Sequence, residues 1–205
     1  SGTGAFGMQI SSTSTVANVT IANNFVSDIT GVGSATATSN GYGINFNGTG
    51  AGGYKVYHNS VNMNTNQASG TTAAMLVTSA VTAAGALDVR DNIFANTQTT
   101  GATRYGVYST AAASVFSSIN YNDYFAQNVG FIGGSAQVSL ANWQAATTQD
   151  ANSFAVDPMF VSSTDLHLAL GSPMIDQAFT LPAVTTDIDG QTRPIGAAND
   201  VGADE

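Results

Sequence analysis

The chain has 205 residues, enough for one sizeable core or a single elongated array of repeats. Only 8% of them are charged, far below the roughly 25% of ordinary soluble domains, so its polarity comes mainly from hydroxyls and amides. Four Lys plus Arg against thirteen Asp plus Glu give a formal charge of −9, which excludes a basic face for nucleic acid or an anionic membrane surface. No apolar run approaches the ~18 residues of a membrane span. Cysteine is absent, as fits a bacterial exported protein stabilised by repetition and not by disulfides.

From the N-terminus onward, the recognisable elements are short stretches with period-2 apolar spacing, divided by Gly, Ser, Thr and Asn. Val19/Ile21 and Ile44/Phe46 are examples. Four segments align without gaps: Ile21-Ala-Asn-Asn24-Phe-Val26, Val56-Tyr-His-Asn59-Ser-Val61, Val89-Arg-Asp-Asn92-Ile-Phe94 and Ile119-Asn-Tyr-Asn122-Asp-Tyr124. Their central Asn recurs after 35, 33 and 30 residues. A second register, Phe6-Gly-Met8, Tyr42-Gly-Ile44 and Tyr105-Gly-Val107, lies 17 or 18 residues before an aligned Asn.

A repeat of this length with no amphipathic helix between its strands predicts an all-β right-handed parallel β-helix of about five to six rungs, each completing its neighbour's core. Asn24, Asn59, Asn92 and Asn122 then fall at equivalent corners. There Asn tolerates the left-handed conformation and its amide bonds the same amide one rung away, which makes a structural ladder. Residues 31–40 and 66–72 are expected as protruding loops.

Phe6-Gly-Met8 corresponds to the second strand of later repeats, so the array is expected to start inside a rung, with unpaired edges facing an upstream domain or a neighbouring subunit. Rungs are assigned to 1–138. Ser139-Leu-Ala-Asn-Trp-Gln-Ala-Ala reads as a short lateral helix with Ser139 as N-cap and Leu140 and Trp143 on one packing face, within a connection spanning 139–156. Residues 157–205 are assigned to a closing, capping segment.

Asp157-Pro-Met-Phe160, Leu166-His-Leu168, Gly171-Ser-Pro-Met-Ile-Asp176, Asp187-Ile-Asp-Gly190, Arg193-Pro194 and Val201-Gly-Ala-Asp-Glu205 together resemble the closing segment of bacterial secreted right-handed β-helix repeat proteins. The upstream rungs and the Leu-Ala-Asn-Trp-Gln stretch are similar to the same group. The resemblance implies architecture and an extracellular or cell-surface location, often reached by type IX export in Bacteroidota-like organisms. It implies no reaction, because fold analogy does not supply function.

No matched catalytic set emerges. Glycoside hydrolysis needs two carboxyl groups flanking the bond. Asp28, Asp88, Asp91 and Asp123 are the acids near the repeat strands, and Asp91 and Asp123 occupy different columns of adjacent rungs. His58 and His167 sit in strand-like alternation and read as structural or surface residues and not as bases. Asp187-Ile-Asp189-Gly190 has alternating carboxylates but lacks the ligands of a complete calcium loop, so a turn is the simpler reading. Ca2+ there, with Asp200 and Asp204 as extra ligands, is the one cofactor considered.

The sequence therefore predicts no catalytic residue and no assigned metal ligand. It predicts a non-catalytic structural or adhesive solenoid module of a surface or filament-forming protein, with head-to-tail assembly as a refinement. Its expected partners are neighbouring subunits or upstream domains, and surface polysaccharide. The alternative is a carbohydrate-binding or carbohydrate-active β-helix with a groove lined by Tyr42, Tyr54, Tyr57, Tyr105 and Tyr108.

Overall fold

Residues 4–34 and 40–205 are described by the computed structural model; the part of the expected 31–40 loop at 35–39 lies outside the described residues. Short strands rich in Val, Ile, Tyr and Phe coil into a parallel β-solenoid with three faces. The first face carries β1 (Ala5–Ile10), β4 (Gly41–Phe46), β7 (Thr72–Val77), β10 (Arg104–Ser109) and β12 (Asn128–Ile132), in that order. The second carries β2 (Val19–Ala22), β5 (Tyr54–Tyr57), β8 (Leu87–Arg90) and β11 (Phe116–Asn120), and the third β3 (Phe25–Val26), β6 (Ser60–Asn62) and β9 (Ile93–Ala95). All three faces are complete for three turns, fewer than the five to six rungs expected, because the fourth turn has β10 and β11 without a third-face strand and the fifth only β12.

The aligned segments are in register in the sheets. Ile21 pairs with Val56, Val56 with Val89 and Val89 with Ile119, while Val26 pairs with Val61 and Val61 with Phe94. These inward columns form one continuous core, each fully buried Val or Ile contributing about 2 kcal/mol. The aromatic-Gly-aliphatic motif follows from the narrowness of this core. A Cβ on Gly7 would lie 2.4 Å from Val26 Cγ1, and one on Gly43 2.4 Å from Val61 Cγ1, so at these two rungs the first face comes too close to the third for a side chain; Ala74 takes the equivalent place in β7.

At the corner between the second and third faces, Asn24 Nδ2 donates to Asn59 Oδ1 (2.8 Å), Asn59 Nδ2 to Asn92 Oδ1 (2.9 Å) and Asn92 Nδ2 to Asn122 Oδ1 (2.9 Å). The backbone N–H of Asn59 and of Asn92 donates to the same acceptors, and Ser153 Oγ takes the next place by accepting from Asn122 N. The left-handed residue of each corner is not the ladder Asn but the one before it: Asn23, His58, Asp91 and Tyr121, with φ between 48° and 61°. Turning the chain there aims the following Asn inward, where its amide meets the carbonyl two residues back, as Asn59 does with Tyr57 O at 3.0 Å.

Two further expectations change. Loop 66–72 stacks on the next rung: Asn66 Oδ1 accepts from Thr99 N (2.7 Å), and Gln67 and Gln98 are buried as its polar filling. The far end of the core is closed not by residues 157–205 but by α1 (Leu140–Thr147) and the antiparallel edge strand β13 (Ser135–Gln137). Ser139 caps α1 by accepting from Asn142 N, and Trp143 plugs the core under Gly130, whose added Cβ would lie 2.4 Å from the indole.

The closing segment instead runs back along the outside of the ladder corner towards the first rung. Asn62 Nδ2 donates to Ser163 O (3.0 Å), Leu181 and Val184 cover Tyr57, and Asn23 Nδ2 donates to Thr186 O (2.6 Å). Met174, Ala178 and Val201 bury Ile93 and Ala95 in a second small core.

Candidate functional site

The chemistry of the molecule is concentrated beneath this returning segment, on the column of left-handed corner residues. These residues point outward because the ladder Asn points inward, so His58 and Asp91 meet the segment and not the core. His58 Nδ1 lies 3.3 Å from Gly202 O, Gly202 N donates to Asp91 O (2.9 Å), and Phe179 N donates to Asp91 Oδ1 (2.8 Å). Ala203 N donates to Ser60 Oγ (3.0 Å). Gly202 has φ 105°, and a Cβ there would lie 2.7 Å from Ser60 Oγ and 2.8 Å from Ile93 Cδ1, so the segment seats only as glycine.

Behind Gly202 lies a buried ion pair, Arg193 Nη1 to Glu205 Oε2 at 2.6 Å. Arg193 Nη2 also donates to Gly202 O (3.0 Å), and Ile195 N to Glu205 Oε1 (2.9 Å). Burial, reinforced by the Arg193 charge, pushes His58 down to about 3, so the ring is neutral at neutral pH. Burial likewise pushes Asp91 up to about 7. His58 Nε2 and Asp91 Oδ2 face each other at 3.6 Å, beyond hydrogen-bond distance, and among the described residues neither atom has a hydrogen-bond partner.

Asp123 is sealed elsewhere, with Val156 N on Oδ1 (3.1 Å) and, among the described residues, no partner on Oδ2. Its strongest charged neighbour is Asp157, whereas Asp91 faces Arg90, Arg193 and Asp88, so the two acids do not form a pair across a groove. A third buried acid, Asp150, accepts from Tyr124 Oη and Trp143 Nε1 (both 2.5 Å) and from Ser153 Oγ, and pins α1 to the last rung.

Burial pushes Asp123 up to about 7, so the folded chain holds a proton that the unfolded chain releases near pH 4. That preference stabilises the fold at low pH and is lost as pH rises from about 4 to 7. Asp123→Asn is therefore expected to be more stable than the parent by about 2 kcal/mol at pH 8, after an offset of about 2 kcal/mol for its unpaired Nδ2, and less stable by about 1–2 kcal/mol at pH 4, where the ionisation gain is gone and the offset remains. Urea midpoints at the two pH values measure this difference.

The tyrosines expected to line one groove divide three ways. Tyr54 is in the core and Tyr57 lies under the returning segment. Tyr42 and Tyr105 are buried in a cluster on the outer side of the first face, with Tyr108, Phe6 and Phe131 part-exposed around them, and the Tyr108 and Phe131 rings stack at 4.5 Å. Separate open cavities of about 320 and 370 Å³ adjoin at Thr97 and Phe125, the first reaching the returning segment at residues 157–163 and the second lined by residues 96–127 alone. Their charged lining is Asp157 in one and Arg104 in the other; the rest is largely amide, hydroxyl and aromatic.

Of the calcium-loop acids, Asp187 Oδ1 is occupied by Asp189 N (3.0 Å) and Gln191 N (2.7 Å), and Asp200 Oδ1 by Asp176 N (2.7 Å). Both therefore shape turns. Asp189 and Asp204 do converge, and sequence reasoning missed that His167 joins them from a third stretch.

No protein-family model matches this chain, and no curated protein or solved structure is significantly similar to it. Among the described residues no helix is long and apolar enough to cross a membrane. The class defined by the fold is thus the parallel β-solenoid, and its function is argued from this chain's own surfaces.

Proposed function

We propose that the chain is a non-catalytic, extracellular structural or adhesive module, a stiff solenoid segment within a cell-surface or filament-forming protein. One observation carries this reading: Asp91 and Asp123, the two acids that burial pushes up to about 7, are wholly buried in rung-to-segment joints and do not face one another across a groove, while Asp200, raised to about 6, accepts from Asp176 N and donates its own N–H to Glu205 of the buried ion pair. Catalytic acids are perturbed where substrate reaches them. Incubation with a panel of polysaccharides is expected to release no new reducing or unsaturated ends, and turnover by the purified chain would reject the proposal.

The partner surface is the first rung. Among the described residues β1, β2 and β3 are paired on one side only, and Met8, Ile10, Val19 and Ile29 are left half-buried. A cavity of about 330 Å³ opens there between Met8, Asn24 and Val26. Asn24 Oδ1 accepts no hydrogen bond among the described residues, so the ladder ends on an open acceptor. A rung from an upstream domain or a neighbouring subunit fits this end by strand addition. Identical copies stacked head-to-tail need a second open end, and α1 with β13 covers the other one. Two copies can still meet through this same end, so the chain is expected to dimerise in sedimentation velocity and Val19→Lys to abolish the dimer; association that persists places the contact elsewhere.

A second reading, binding of neutral surface polysaccharide, is favoured by Tyr108 and Phe131, two half-exposed aromatic rings stacked on each other at 4.5 Å that offer a sugar apolar surface.

A further inference from the structure

Three separate stretches of the returning segment bring ligand atoms of His167, Asp189 and Asp204 within 4.8 Å of one another. Each is held in place by something other than its neighbours in the cluster. The His167 ring stands edge-on to Phe25 of the first rung at 4.8 Å and 87°. Asp189 projects from the turn that Asp187 closes through Asp189 N and Gln191 N, with Thr186 and Thr192 bridged below it. Asp204 is anchored by Leu168 N on Oδ2 at 2.7 Å.

The imidazole is also oriented. Its Nδ1 meets Asp165 Oδ1 at 2.5 Å, which leaves Nε2 to face Asp189 Oδ2 at 2.9 Å. A carboxylate on the outer nitrogen is the usual support for a metal-ligating histidine. Asp204 supplies an independent observation. It is only 8% exposed, yet among the described residues it makes no salt bridge. A carboxylate buried to that degree ordinarily has a cation beside it.

We propose that His167 Nε2, Asp189 and Asp204 form a binding site for a divalent transition metal ion of the zinc type, which ties the three stretches of the returning segment together over the first rung. One nitrogen and two carboxylate oxygens make a three-ligand set with room for water, and an imidazole nitrogen selects Zn2+ over the oxygen-seeking Ca2+. Bonds of about 2.0–2.2 Å from an ion placed between ligand atoms span up to roughly 4 Å, so small shifts of the half-exposed Asp189 close the shell. The ion replaces the proton that now links Nε2 to Asp189, and its charge takes the place of the one the His167 ring sets beside Asp204.

The test uses the whole chain, stripped with chelator and titrated with ZnCl2 by calorimetry, with CoCl2 as an optical probe of coordination. One ion per chain is expected, with a raised melting temperature and no displacement by millimolar CaCl2. His167→Ala and Asp204→Asn are each expected to weaken binding at least tenfold, and Asp157→Asn, an exposed acid outside the cluster, to leave it unchanged. Asp165→Asn keeps every ligand but releases the ring, and is expected to weaken binding about tenfold or more. Circular dichroism without metal confirms that each variant is folded. Absence of saturable binding, or equal binding by the parent and His167→Ala (an adventitious ion only), would overturn the site.

Discussion

Asn92→Ala is expected to destabilise the solenoid by about 3 kcal/mol or more, several times the effect of Asn24→Ala. Asn92 occupies the middle of the ladder. Its Nδ2 serves Asn122 Oδ1, Val56 O and Arg90 O, all at 2.9 Å, and its Oδ1 accepts both the main-chain and the side-chain N–H of Asn59. Removing it strands the Asn59 backbone N–H in a fully buried corner and takes the shared donor from two carbonyls.

Asn24, by contrast, is half-buried and makes two side-chain bonds, to Ala22 O and Asn59 Oδ1, so its loss costs about 1 kcal/mol. Asn92→Asp should be worse than alanine, because a carboxylate oxygen then points at three acceptors without a donor. Denaturant midpoints at constant slope measure all three. Equal effects for the middle and end positions would mean that the amides act singly and not as a ladder.

The ladder was legible because a coil forces equivalent residues into equivalent places, so Asn24, Asn59, Asn92 and Asn122 repeat with their flanking apolar positions. The left-handed position was not: its occupants, Asn23, His58, Asp91 and Tyr121, share no side-chain chemistry, since only their backbone conformation is equivalent. A signal existed in the absence of any β-branched residue from that column.

The path of residues 157–205 was hidden for a related reason. The segment has no repeat, and much of its attachment runs through main-chain groups, such as Gly202 N, Phe179 N and Thr186 O, that leave no mark on composition. Once its path is known, otherwise puzzling residues become intelligible together. The buried His58 and Asp91 are where a corner meets the segment, and Arg90 lies between the Tyr57 and Phe179 rings at 5.4 and 5.7 Å because it fills the seam beside them.

The largest effect on that seam is expected from Arg193→Ala. The guanidinium is fully buried with Glu205, which also accepts from Ile195 N and Asp200 N. Removing one member of such a pair leaves the other charge without a counter-ion, at a cost of about 3–5 kcal/mol. Because the coil core has its own closure by Trp143 and α1, the loss should appear as local release of the returning segment and not as global unfolding.

Protease sites within 157–205 should become accessible, and the Gly202 and Ala203 amides should exchange quickly, while the amides of Asn59 and Asn92 stay protected. The double replacement Arg193→Met with Glu205→Leu removes both charges at similar volume and is expected to recover most of the loss, since replacing a buried pair outright is often near neutral. Failure of the double variant to recover would assign the cost to the guanidinium's bonds with Asp200 O and Gly202 O, and simultaneous loss of protection at Asn92 would mean that the coil depends on the segment lying along its corner.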